Sequence, residues 1–155
     1  MKKTVFLMIL TLFMSLGYGC TPQKATRTQL QTRLLQTKTY ETTDYKMVMK
    51  AVLNTLQDQG YIVTNAISNL GVITAYKMKS RFAGGFFSSP WVNMIDCSVN
   101  VTVYGNKTKV RVNFLLRVLN DKGVVTGVSH LNDPEYYKQF FSKVDKGVFL
   151  EKEGL

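Results

Sequence analysis

A chain of 155 residues with 45% apolar content has room for one globular domain with an ordinary core. One histidine and two cysteines are too few for the usual zinc sites, and neither a Ser-His-Asp set nor a phosphate loop can be assembled, so the common enzyme classes built on them are excluded. The net charge of +10 is large for this size and directs attention to anionic partners.

The first twenty residues, "MKKTVFLMILTLFMSLGYGC", fall into three zones. Lys2 and Lys3 form a positive n-region. Val5 to Phe13 is apolar apart from Thr11, and Ser15, Gly17 and Gly19 suit a peptidase cleft. That layout predicts an export signal over residues 1–19. The apolar run is too short for a membrane span, which needs about 20 residues. "SLGYGC" resembles the lipobox of bacterial lipoproteins, with Gly17 at the position where leucine is usual and Leu16 one place earlier. The resemblance implies that the Cys20 thiol receives a diacylglyceryl group and, after further acylation, holds the mature chain at a membrane. Thr21, in place of an aspartate, resembles the sorting pattern for the outer membrane, with the body facing the periplasm. The alternative is a soluble secreted protein with a cysteine near its new N-terminus. With Cys20 acylated, Cys97 has no partner in the chain. Its place in an alternating strand predicts a small core residue, with a reactive thiol as the alternative.

Residues 20–37 are rich in Thr, Gln and basic side chains and carry no acid. They predict a tether that is mostly disordered, with a hint of a helical turn at Leu30, Leu34 and Leu35. Lys24, Arg27 and Arg33 would face anionic head groups. The folded domain is expected over residues 38–155. "KTYETT" suggests a short strand. Thr43 or Asp44 then caps a helix whose apolar face is Tyr45, Val48, Met49, Val52, Leu53 and Leu56, and Gly60 ends it.

Two strands follow, over 61–66 and 71–79, joined by a turn at Ser68-Asn69. The insert "SRFAGGFFSSPW" interrupts the pattern. It sets Lys79 and Arg81 beside Phe82, Phe86, Phe87 and Trp91 around Gly84-Gly85. Aromatics beside cations on a long connection suit a membrane interface or the groove of a partner. The alternative is that these rings plug one end of the core.

Ile95 to Val103 and Lys109 to Val118 alternate with period two, Leu115 alone falling on the polar side of the second run, which predicts an antiparallel hairpin with one buried and one wet face. Lys107, Lys109, Arg111 and Arg117 fall on the polar side. Removal of Lys2 and Lys3 with the leader leaves 18 basic side chains against 10 acids, a net charge of +8. Such a face could hold nucleic acid; after export, lipid head groups, lipopolysaccharide phosphates or acidic protein surfaces are the partners at hand, and simple solubility is the plain alternative. Asn120 to Gly123 makes a second turn before a strand through Val128. Asp133 and Pro134 start a final helix whose apolar side is Tyr137, Phe140, Phe141, Val144 and Val148, with Gly147 as a weak point inside it. His130 falls between strand and helix. A capping or turn role fits it there, and a catalytic one requires an acid or hydroxyl beside it in a cleft.

The element order is β-α-β-β-β-β-β-α. It predicts an α+β domain, with an antiparallel sheet of five to six strands packed on two helices. The lipobox, the polar tether, "AVLNTLQDQGYIVTNAISNLGVITAYK" and "DPEYYKQFFSKVDKGVFLE" resemble small uncharacterised bacterial lipoproteins. The unit from Tyr40 to Lys77 is similar to the domains of the lipoprotein C component of the outer-membrane barrel-assembly machinery. That likeness implies a helix-grip fold, a sheet wrapping one long helix. It implies an envelope lipoprotein that acts through its surfaces rather than by catalysis; no cofactor or metal is expected from the residues, and the export signal argues against nucleic acid as a partner. The expected partners are the membrane, through Cys20, and an envelope protein. A lipid or hydrophobic-ligand carrier is the alternative, because a sheet gripping a helix can enclose an apolar cavity.

Overall fold

The computed structural model describes residues 28–81 and 91–154. The first element, α1 (Gln29–Leu35), precedes β1 (Thr37–Tyr40) and α2 (Tyr45–Asp58). Strands β2 (Ile62–Ile67), β3 (Val72–Arg81), β4 (Trp91–Tyr104), β5 (Lys107–Leu119) and β6 (Val125–His130) follow, and α3 (Pro134–Glu153) closes the domain. All strand pairs are antiparallel, in the order β1-β5-β4-β3-β2, with β6 also on β5. The fold is α+β, as the element order predicts, with the two expected helices on the sheet and, among the described residues, the short α1 besides.

Strand β5 is long enough to serve two partners along one edge. Residues 108–111 pair with β1, and Leu115 to Leu119 pair with β6. The gap between those partners is closed by other groups. The Val112 N–H donates to the Gln36 carbonyl (2.8 Å), and the Leu131 N–H donates to the Phe114 carbonyl (3.0 Å). The Phe114 N–H donates to the Tyr137 hydroxyl of α3 (3.3 Å), which also accepts from the Gln36 side-chain amide (3.5 Å). Buried backbone groups left unpaired would cost about 1–3 kcal/mol each, so this plug holds the two half-edges in line.

Alternation along the strands divides the sheet. Ile73, Ala75, Cys97, Val99, Val101, Val110, Val112 and Phe114 are buried on one face against α2 and α3. Cys97 is the small core residue expected, and burial raises its thiol pKa well above the ordinary range. Asp44 caps α2, its carboxylate accepting from the Met47 N–H (2.9 Å). At the other end, Gly60 takes φ +78° while the Tyr61 and Gly60 N–H groups return to the carbonyls of Leu56 and Gln57, a Schellman closure. Helix α3 runs unbroken through Gly147. A Cβ there would lie 3.3 Å from the Ala51 carbonyl oxygen and 3.4 Å from the Thr55 hydroxyl, so its bareness lets the two helices approach. The sheet thus carries two helices side by side and does not wrap a single long one.

Thr28 and Gln31 form a reciprocal capping box, with hydrogen bonds of 3.3 and 3.1 Å, and start α1 over the residues where Leu30, Leu34 and Leu35 hint at a helical turn. Gln36 is buried, and β1 begins at Thr37. Cys20, Lys24 and Arg27 lie outside the described residues.

Candidate functional site

Among the described residues no helix packs across the second face of the sheet, and its side chains follow directly from strand register, because residues paired across a ladder point the same way. One row crosses five strands: Ile62, Tyr76, Asp96, Leu115 and His130. The next, toward the β3–β4 hairpin end, is Met78, Met94, Arg117 and Val128. On the other side lie Thr74, Ser98 and Asn113, then Val72, Asn100, Arg111 and Thr37. The face is therefore apolar toward the hairpin and polar toward α1.

The four predicted basic residues do share this face, but their states differ. Lys107 pairs with Glu41 (2.6 Å). Arg117 grips Asp96 with two parallel hydrogen bonds, a bidentate fork that raises the Arg117 pKa further. The Lys109 ammonium lies 4.8 Å from the centre of the Tyr104 ring. Arg111 is exposed and has no ion pair among the described residues. A cleft of about 570 Å³ opens beside it, between α1 and the sheet, with Arg33, Asn100 and His130 in its wall. The Gln36 amide donates to the Asn113 side-chain carbonyl (3.2 Å) at its floor.

His130 is the last residue of β6 and lines the cleft, and it does not cap α3. The cap is Asp133, which accepts from the Glu135 N–H (3.0 Å). Ser98 and Thr32 also line the cleft, but no hydrogen bond joins either hydroxyl to His130. No carboxylate lines the cleft, and no cluster of three metal-ligating side chains occurs among the described residues.

The predicted interaction loop is only partly in view. Lys79 is exposed on β3. Arg81 and Trp91, expected in a loop, are paired opposite each other at the ends of β3 and β4, because the ladder runs on past the point where sequence alternation fades. Phe82, Phe86 and Phe87 lie outside the described residues. Arg33, assigned by sequence to a membrane-facing tether, stands on α1 in the cleft instead. Sequence reading missed the cleft because its walls come from both ends of the domain. The usable signal was Thr28-x-x-Gln31, the cap that begins α1.

No family model matches the sequence, and comparison with curated proteins returns no match. Among solved structures, a DUF4468 family protein from Bacteroides ovatus is similar at a TM-score of 0.44 and 10% identity, over 72% of this chain and 84% of that one. A TBP-like protein from Parabacteroides distasonis is similar at a TM-score of 0.39 and 10% identity, over 72% and 90% of the two chains.

Proposed function

We propose that this protein is a non-catalytic lipoprotein of the bacterial envelope, anchored through Cys20, whose bare sheet face binds an envelope protein. The observation that carries the reading is the apolar half of that face. Ile62, Met78 and Val128 are 57%, 59% and 62% exposed there, beside the Asp96–Arg117 fork. These apolar side chains run from β2 to β6 with the Asp96–Arg117 fork between them, and exposed apolar area interspersed with polar groups is the make-up of a non-obligate protein interface. The leader, the Cys20 context and the Thr21 sorting pattern support attachment at the outer membrane. Among the described residues no helix is long and apolar enough to cross a membrane, so anchoring in this reading falls to the acyl chains.

The carrier alternative needs space between sheet and helices. Phe114, Phe140 and Phe141 are buried at that interface and Leu116 is half-buried, which weighs against it. Anchoring is tested by feeding a labelled fatty acid and fractionating cells. The wild-type chain should carry label and sediment with membranes, and Cys20→Ser should be unlabelled and soluble after export. An unlabelled wild type in the soluble fraction overturns the anchor.

A further inference from the structure

The polar cleft beside α1 has a chemistry distinct from the apolar half of the sheet face, and it does not depend on the partner-binding reading. From its geometry we infer that it binds a small hydroxyl-rich ligand bearing one oxyanion, a phosphate or a carboxylate. Three observations converge on this class.

The first is charge. Two guanidiniums, Arg33 from α1 and Arg111 from β5, reach the cleft from opposite sides of its wall, and no carboxylate lines it. Neither arginine makes an ion pair among the described residues, whereas Lys107, Lys109 and Arg117 on the same face are each held by an acid or a ring. A guanidinium presents a planar fork that matches phosphate and carboxylate oxygens in pairs.

The second is the remaining lining. Asn100 stands directly opposite Arg111, and Ser98 opposite Asn113, so amide and hydroxyl groups surround the cations in adjacent rows. The Asn113 side-chain carbonyl is already occupied by Gln36, while its amide N–H groups make no hydrogen bond among the described residues and remain for a ligand. Mixed donors and acceptors of this kind suit hydroxyl groups, which both give and accept. An apolar ligand would leave them unpaired.

The third is size and setting. A cleft of about 570 Å³ lies within the usual range for small-molecule sites and fits a monosaccharide-sized ligand. Its floor is pre-formed. Gln36 is buried and fixed by Asn113 and Tyr137, so the wall does not have to be assembled on binding.

The test is calorimetric titration of the folded protein at about 0.15 M salt, where loose attraction to a basic surface is screened. The probes are glucose 1-phosphate, glucuronate, glucose and inorganic phosphate. At least one of the two anionic sugars should saturate one site, about tenfold or more tighter than glucose or phosphate alone. Arg111→Gln should weaken that binding about tenfold or more, the loss expected for a charge-assisted bidentate contact. Lys109→Gln removes the same charge from the same face outside the cleft and should change it less than about twofold. Both side chains are at least part-exposed and unneeded in the core, so melting temperatures should stay at the wild-type value. Absence of saturable binding by either anionic sugar overturns the inference. So does inorganic phosphate binding as tightly as glucose 1-phosphate, or an equal loss in both variants. These outcomes are independent of whether a protein docks on the apolar half.

Discussion

Phe114→Ala should remove about 3–5 kcal/mol of stability, the range for emptying an aromatic site in a packed core. Phe114 is fully buried and is the hub of the aromatic cluster. Its ring centre lies 5.0 Å from Tyr136 and 5.3 Å from Phe140, both nearly edge-on, and 5.3 and 6.1 Å from Tyr137 and Tyr61. Edge-to-face pairs add about 0.5–1.5 kcal/mol beyond area burial, and alanine forfeits them together. The rim cannot easily collapse into the void, because the Tyr61 and Tyr136 hydroxyls are bonded to each other at 2.6 Å. Domains of this kind hold only about 5–15 kcal/mol in total. Urea denaturation should therefore show a much lower midpoint with an unchanged slope. A loss below about 1 kcal/mol would mean that the ring is not the keystone its contacts describe.

Gly71→Ala should be as damaging, for a different reason. Gly71 ends the short turn Ser68–Leu70 at φ +64°, in the left-handed region. A Cβ there would sit 1.9 Å from the Val101 carbonyl oxygen, a backbone atom of β4 that cannot rotate away. The two backbones are bound as well, the Val101 N–H donating to the Gly71 carbonyl at 2.7 Å. Any side chain must pry the β2–β3 turn off β4, at an expected cost of about 3 kcal/mol or more. Gly123→Ala is the control. It has φ +73° and open space around its Cβ position, so it isolates the backbone penalty of about 1–2 kcal/mol. Equal losses of melting temperature in the two variants would show that the close approach to Val101 carries no weight.

The parts of this fold that sequence reveals are those set by local chemistry. Val48, Val52 and Leu56 on α2, and Phe140, Val144 and Val148 on α3, recur at helical spacing because each helix buries one stripe. The caps Asp44 and Asp133 and the stop at Gly60 are legible for the same reason. The β4–β5 alternation separates Val99 and Val112 from Asn100 and Arg111, and thereby locates the wet face. What sequence hides is assembly. Helix α1 buries no residue, so Leu30, Leu34 and Leu35 give only a hint of a turn and not of its place beside the sheet. That β1 and β6 share one edge of β5 is a matter of strand order, and only that order brings Arg33, Arg111 and His130 to one cleft. Gly147 reads as a weakness in isolation and becomes a contact only once Ala51 is packed against it.

The partner surface is tested most directly in living cells with a photo-crosslinking side chain at Ile62 or Met78 on the bare sheet face, and at Lys138 on the exposed side of α3. Illumination should join the anchored protein to one envelope protein from Ile62 and Met78 and leave the Lys138 form uncoupled. No adduct from the sheet positions, or the same adduct from all three, would contradict a binding function for that face.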